Sequence, residues 1–166
     1  MTARSLVLLR HAKADTPRGV ADEDRPLSAR GQADARAAGA WLASRQVPEL
    51  VLCSPAKRTR QTWHAVATKL PADAAPVVRY EPRLYLGDPD SLLAAVREVA
   101  DPVTRVLMIG HNPTLSQLAF ELDPDGGLDS DGLRTCGLTV HEVAGPWSSC
   151  GPRHAPVTTI HTARGT

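Results

Sequence analysis

Four residues that could carry phosphate chemistry stand at or just beyond the ends of short apolar runs. They are Arg10, His11, Arg58 and His111. A guanidinium group binds two phosphate oxygens at once, and a neutral imidazole is a nucleophile near pH 7. Phosphoryl transfer needs alignment and charge stabilisation more than any other contribution from a protein. These residue types therefore point to a site that binds a phosphate-sized anion and transfers it.

The elements that must position these residues alternate along the chain. Short apolar runs predict strands at 5–9, 49–53, 77–80 and 104–110. Longer amphipathic segments predict helices at 28–45, 54–70, 88–100 and 113–122. Two late runs, 136–143 and 156–162, predict strands that form an antiparallel edge. The alternation predicts a three-layer α/β/α fold with a largely parallel central sheet, and the length suits a single domain over residues 1–166.

The carboxyl ends of parallel strands form a crevice in which open α/β sheets bind ligands. Ser54 and Asn112 are expected to cap the helices that follow two of these strands, with Pro55 and Pro113 as first helical residues. The free N–H groups of such helix ends favour an anion, and Arg58 can reach back over one of them. We therefore expect the two arginines and two histidines to meet in this crevice.

Composition excludes several classes of protein. The chain has 166 residues and a formal net charge of +1, so no strong field attracts nucleic acid or an acidic membrane. The apolar run at 6–9 is too short for an export signal, and the three cysteines lack metal-ligand spacing. We expect a cytoplasmic protein with reduced thiols. A metal at His11 and His111 is disfavoured, because two neighbouring arginines would repel a cation.

Four segments in this order resemble the histidine phosphatase, or phosphoglycerate mutase-like, superfamily. They are "LLRHAKA", "RPLSARGQADA", "SPAKRTRQT" and "VLMIGHNPTL". The likeness is greatest to the small branch of phosphohistidine phosphatases of the SixA type. The resemblance implies that His11 accepts the phosphoryl group, that Arg10 and Arg58 clamp it, and that His111 contacts it. It also implies catalysis without a metal or an organic cofactor.

Two features depart from the larger members of that family. Ala12 stands where glycine is common, and nothing matches the acidic residue of the mutases. The proton donor is therefore unassigned, and four carboxylates are candidates: Asp15, Asp22, Asp24 and Glu81. The chain also has no room for the large helical insertion that covers the pocket in bigger members. An open site of this kind could admit a phosphoryl group carried by a protein.

The predicted function is a metal-independent phosphatase with a covalent phosphohistidine intermediate on His11, acting on protein phosphohistidine. One alternative is a phosphatase or phosphomutase of a small phosphorylated metabolite. A second is a phosphate-binding module without turnover. We expect a monomer or weak dimer. Four histidines outside the motifs are expected to be structural or exposed: His64, His141, His154 and His161.

Overall fold

The computed structural model describes residues 3–166, which form six strands and five α-helices. The strands are β1 (Arg4–Arg10), β2 (Leu50–Cys53), β3 (Val77–Tyr80), β4 (Arg105–Gly110), β5 (Gly137–Val143) and β6 (Val157–Thr162). The helices are α1 (Ala29–Arg45), α2 (Lys57–Ala67), α3 (Arg83–Leu86), α4 (Pro89–Arg97) and α5 (Thr114–Leu122). Short 3-10 turns lie at Asp22–Asp24 and Trp147–Ser149.

All six strands belong to one mixed sheet with the order β3-β2-β4-β1-β5-β6. The first four in that order run parallel, whereas β5 pairs antiparallel with both β1 and β6. The predicted parallel sheet with an antiparallel C-terminal edge is therefore confirmed.

The register of the central strands decides where the chemistry-bearing residues lie. Arg10 in β1 pairs with Gly110 in β4, and the backbone N–H of His11 donates to the Gly110 carbonyl at 3.1 Å. Ser54, just after β2, donates its N–H to the Ile109 carbonyl at 3.1 Å. Three strands thus end side by side at one edge of the sheet, as expected for an open α/β sheet.

The hydrophobic core lies in two layers, one on each face of the sheet. Side chains alternate along β1, so Leu6 and Leu8 join a cluster with the buried faces of α4 and α5. Val7 and Leu9 point the other way and pack with residues of α1 and α2. This division confirms the predicted three-layer arrangement.

Helix α1 begins as predicted and is held close to the turn after β1. Ser28 is its N-cap, and the Ser28 hydroxyl accepts a hydrogen bond from the Gly31 N–H at 3.0 Å. The Ser28 N–H donates to the Lys13 carbonyl at 2.9 Å. A Cβ placed on Gly31 would lie 2.1 Å from that carbonyl oxygen, so only glycine allows this approach.

The predicted caps of the other two site helices are wrong. Helix α2 begins at Lys57 rather than next to Ser54, and Pro113 rather than Asn112 is the N-cap of α5. The Asn112 amide donates instead to the Leu133 carbonyl at 2.7 Å. The side chains of Ser54 and Asn112 instead form hydrogen bonds with residues distant in the sequence, so neither serves as the predicted N-cap.

Helix α3 was not predicted, because four residues are too few to produce a periodic pattern. Within residues 3–166, none of the helices combines the length and the hydropathy that a membrane crossing requires. That the whole chain forms a single domain stays a prediction.

Candidate active site

The four candidate residues come together at the carboxyl ends of β1, β2 and β4. The ring centroids of His11 and His111 lie 5.3 Å apart. Arg58, on the first turn of α2, is buried, and Arg10 is the last residue of β1. The positive charges of both arginines act on both imidazoles. Residues far apart in the sequence thus form one cluster.

His11 is held in a single tautomer by the backbone. Its Nδ1 lies 2.7 Å from the Ala12 carbonyl oxygen, which can only accept, so Nδ1 carries the hydrogen. The lone pair of Nε2 is then free for attack. Burial, with the charges of Arg58 and Arg10, lowers the pKa of His11 to about 4, so the ring is neutral at physiological pH.

His111 is also neutral, and its two ring nitrogens are in different surroundings. Its Nε2 lies 2.7 Å from the Ser54 hydroxyl oxygen. Its Nδ1 is buried and has no hydrogen-bond partner within residues 3–166. Burial and the neighbouring His11 and Arg58 lower the pKa of His111 to about 3.

In each arginine, at least one terminal Nη nitrogen donates a hydrogen bond, whereas the Nε nitrogen nearer the backbone has no partner within residues 3–166. Arg10 donates from Nη1 to the Leu133 carbonyl at 3.1 Å. Arg58 donates from Nη1 to the Asp22 carbonyl at 2.7 Å and from Nη2 to Asp22 Oδ2 at 3.0 Å. In the described part of the chain, the buried Nε of Arg10 and that of Arg58 have no partner.

Three of the four clustered residues thus have a buried nitrogen without a partner in the described part of the chain: Nε of both arginines and Nδ1 of His111. A buried donor left without an acceptor costs roughly 1–3 kcal/mol, so proteins rarely leave several in one place. The oxygens of a bound oxyanion are acceptors for donors of this kind. The cluster therefore combines candidate donors for phosphoryl oxygens with the free Nε2 lone pair of His11.

Two residues at the rim complete the site. The Tyr85 hydroxyl donates to Asp22 Oδ2 at 2.6 Å, and the Tyr85 ring lies edge-on to His111 with centroids 5.4 Å apart. The hydrogen bonds from Tyr85 and Arg58 hold the pKa of Asp22 well below its usual range. Its bond to Asp22 raises the pKa of Tyr85. Asp22 is therefore ionised and Tyr85 protonated at neutral pH.

Tyr85 was missed from the sequence, although a signal for it existed. It lies in the segment directly after β3, and the carboxyl end of that parallel strand faces the same edge as the other three. Residues 81–85 thus follow the end of a parallel strand, just as the other site residues do.

Within residues 3–166, the side chains of the other three carboxylate candidates form no hydrogen bond or ion pair with the four residues. The side chains of Asp15 and Asp24 are exposed, and within residues 3–166 neither carboxylate forms an ion pair. Glu81 pairs with Arg83 at 3.3 Å. Of the four candidates, only Asp22 contacts the cluster, and it does so as an anion.

The histidines outside the motifs have no part in this cluster. His141 is buried between the Thr139 hydroxyl and the Ala155 carbonyl, each 2.9 Å away. His161 stacks on Trp41, and the remaining two are exposed: His64 and His154. No group of three or more His, Cys, Asp or Glu side chains in the described residues is arranged to hold a metal ion.

Comparisons with known proteins agree on one family. The model of the histidine phosphatase superfamily (branch 1) matches residues 6–84. An uncharacterized protein of Mycobacterium tuberculosis is 39% identical over 164 residues, which cover 94% of this chain and 100% of the relative.

Solved structures extend this agreement over nearly the whole chain. A protein of Nakamurella multipartitia, provisionally assigned as phosphohistidine phosphatase SixA, is 33% identical and superimposes with a TM-score of 0.85 over 98% of both chains. The protein histidine phosphatase SixA complexed with tungstate shares the fold, with a TM-score of 0.80 at 24% identity over 95% of this chain and 96% of that one. This chain belongs to the histidine phosphatase superfamily, branch 1, and has its phosphoglycerate mutase-like fold.

Proposed function

We propose that this protein is a metal-independent phosphatase that uses His11 as a covalent nucleophile, with phosphohistidine on a protein as its substrate. The observation that carries the proposal is the cluster itself: three of its members have a buried, unpartnered nitrogen, and the fourth is a histidine whose Nε2 lone pair is free. Membership of the histidine phosphatase superfamily supports the same chemistry.

In the first step, Nε2 of His11 forms a bond to phosphorus while the bond from phosphorus to the leaving group breaks. The leaving group takes the electron pair of that bond. His11 becomes a phosphorylated imidazolium, whose Nδ1–H stays bonded to the Ala12 carbonyl at the 2.7 Å contact. Arg10, Arg58 and His111 donate to the phosphoryl oxygens, which carry the charge in the transition state.

In the second step, a water oxygen attacks the phosphorus and the P–Nε2 bond breaks. The electron pair of that bond returns to Nε2, so His11 regains its neutral form. Both hydrogens of the water stay on the departing phosphate as H₂PO₄⁻, which balances the step without an added acid. A base at the site would speed this attack, and the Asp22 carboxylate could supply it.

The absence of a protonated carboxylic acid from the described residues of the site favours a phosphoramidate substrate. An alkyl phosphate ester must receive a proton as it leaves, and Asp22 is ionised. A phosphohistidine that is protonated on its second ring nitrogen brings its own proton and leaves as neutral imidazole. Transfer of a phosphoryl group from a substrate imidazole to His11 therefore requires no general acid from this site.

The surroundings of the pocket suit a phosphoryl group carried on a protein surface. Val20 and Leu86 lie close in sequence to Asp22 and Tyr85 at the rim, and both are exposed apolar side chains. The Nakamurella protein assigned as a phosphohistidine phosphatase, which matches this chain over 98% of its length, supports this substrate class.

The test is a phosphatase screen with chelator present, comparing a phosphohistidine peptide with aryl, sugar and nucleotide phosphates. We expect turnover of the phosphohistidine peptide and an acid-labile, alkali-stable phosphoenzyme that the His11→Ala variant no longer forms. His64→Ala is the matched control, because His64 is exposed on α2, and it should keep full activity.

Three results would count against the proposal. Turnover by the His11→Ala variant would overturn the covalent role of that residue. A preference for a small phosphate ester would favour the metabolite alternative. Tight binding of phosphate esters with no hydrolysis, even of an activated aryl phosphate, would indicate a binding module.

A further inference from the structure

Ser54 is buried beside the site, and its hydroxyl already has hydrogen-bond partners. It is fully enclosed, and its hydroxyl oxygen lies 2.7 Å from Nε2 of His111. The two residues are 57 positions apart in the sequence. They meet because β2 and β4 are adjacent parallel strands that end at the same level.

The direction of this hydrogen bond follows from the partners of the hydroxyl. The Ala56 N–H donates to the Ser54 oxygen at 3.3 Å, which occupies one lone pair. The hydroxyl hydrogen needs an acceptor, and Nε2 of His111 is the acceptor it has among residues 3–166. Ser54 therefore donates, and Nε2 accepts with its lone pair.

The direction of this hydrogen bond determines whether Nδ1, the other ring nitrogen of His111, carries a hydrogen. A neutral imidazole carries one hydrogen, so when Nε2 accepts, that hydrogen must be on Nδ1. Nδ1 of His111 is the buried nitrogen without a partner. It can then donate to a phosphoryl oxygen, whereas the opposite tautomer would turn a lone pair towards that oxygen and repel it.

We propose that Ser54 is a positioning residue, which holds His111 in the Nδ1–H tautomer and so presents a hydrogen-bond donor to the phosphoryl group. The catalytic consequence rests on the proposed phosphatase function. The tautomer itself is a property of the resting protein. Ser54 touches no substrate in this scheme and acts only through His111.

A second hydroxyl–imidazole pair in the chain provides an internal comparison. Nδ1 of His141 faces the Ala155 carbonyl and must donate to it, so Nε2 accepts from the Thr139 hydroxyl. The tautomer of His141 is thus the one proposed for His111, but its Nδ1–H is already satisfied. Only His111 has that hydrogen left for a ligand.

The first test measures the tautomer in the unmodified protein. Long-range ¹H–¹⁵N NMR spectra distinguish a protonated ring nitrogen from one with a lone pair. We expect His111 to show a protonated Nδ1 at pH 7, matching His11 and His141. A protonated Nε2 on His111 would overturn the proposal whatever the activity of the enzyme.

The second test compares three variants. Ser54→Ala removes the hydroxyl and should raise the Kd for tungstate and lower kcat/KM by about tenfold or more. Ser54→Thr keeps a hydroxyl and should restore both to within a few-fold. Thr139→Val removes a buried hydroxyl from an imidazole outside the site and should leave both values unchanged.

The two tests separate this proposal from the proposed function. A protein that shows the expected tautomer and loses tungstate affinity in Ser54→Ala supports the positioning role even if no phosphatase substrate is found. Unchanged tungstate binding in Ser54→Ala with normal folding would overturn it. If Ser54→Ala fails to fold, the spectrum of the unmodified protein still decides the tautomer.

Discussion

Asp22 and Arg58 form an ion pair, with Oδ2 and Nη2 3.0 Å apart, although 36 positions separate them in the sequence. The Asp22 carbonyl also accepts from Nη1 of Arg58 at 2.7 Å. Both terminal nitrogens of the guanidinium therefore donate to the same residue. We conclude that Asp22 orients Arg58, whose Nε has no partner within residues 3–166.

Replacing Asp22 by alanine should reduce kcat/KM about three- to tenfold, because Arg58 loses one of the two groups that hold it. The backbone contact from Nη1 stays, which limits the loss. Asp24→Ala is the matched control, since Asp24 belongs to the same turn and is exposed. Steady-state kinetics on an aryl phosphate measures the effect.

The same variant tests whether Asp22 is the proton donor. A positioning role predicts an equal loss for good and poor leaving groups, since Arg58 acts on the transferred group. Loss of a general acid would slow the hydrolysis of an alkyl phosphate far more than that of a nitrophenyl phosphate. A strong dependence on the leaving group would show that Asp22 donates a proton despite its lowered pKa.

Removing the guanidinium of Arg58 should cost about 10²–10³ in kcat, the usual effect of losing one preorganised donor from such a site. Arg58→Lys should recover little, because an ammonium cannot reproduce the planar fork. Arg60→Ala serves as control, since Arg60 is on the same helix and donates to the Pro55 carbonyl instead. A similar loss of kcat in the Arg60→Ala control and in the variant that lacks the Arg58 guanidinium would argue against a specific role for Arg58.

The free energy of unfolding should fall as the pH drops below 6.5. Burial lowers the pKa of His11 from 6.5 to about 4, so below pH 6.5 the unfolded chain binds a proton that the folded chain does not. For His11 alone the expected loss between pH 7 and pH 5 is about 2 kcal/mol. Denaturant titrations at the two pH values measure it.

The His11→Asn variant should show a smaller loss of stability over this pH range than the unmodified protein. His64→Asn should show the full loss, because His64 is exposed. An identical pH dependence in His11→Asn and the unmodified protein would mean that His11 titrates normally in the folded state.

Gly31→Ala should destabilise the protein by about 1–3 kcal/mol, although alanine favours a helix over glycine by roughly 1 kcal/mol. The added Cβ would lie 2.1 Å from the Lys13 carbonyl oxygen, and two backbone segments would have to separate. Gly127→Ala is the control, because its Cβ would meet nothing closer than 3.7 Å. Thermal unfolding of the two variants gives the comparison; a neutral Gly31→Ala would refute the close approach.

The sequence by itself was sufficient to predict the fold class and the meeting of Arg10, His11, Arg58 and His111. The physical reason is local: apolar runs mark buried strands, and parallel strands bring their carboxyl ends to one edge. The residue types that follow those runs then indicate the chemistry. The resemblance of four short segments to the histidine phosphatases rests on the same residues.

The partners of those four side chains were decided only by the tertiary structure. The sequence predicts a helix cap at Ser54, because its neighbours in the sequence allow one. Its hydroxyl bonds to His111, which follows a strand that the sheet brings alongside. Asp22 and Tyr85 lie on a turn and a short helix without periodicity, and they contact Arg58 and each other only after the chain has folded. Hydrogen-bond direction, tautomer and the orientation of a guanidinium depend on distances of a few tenths of an ångström between remote segments, and local patterns carry no information at that scale.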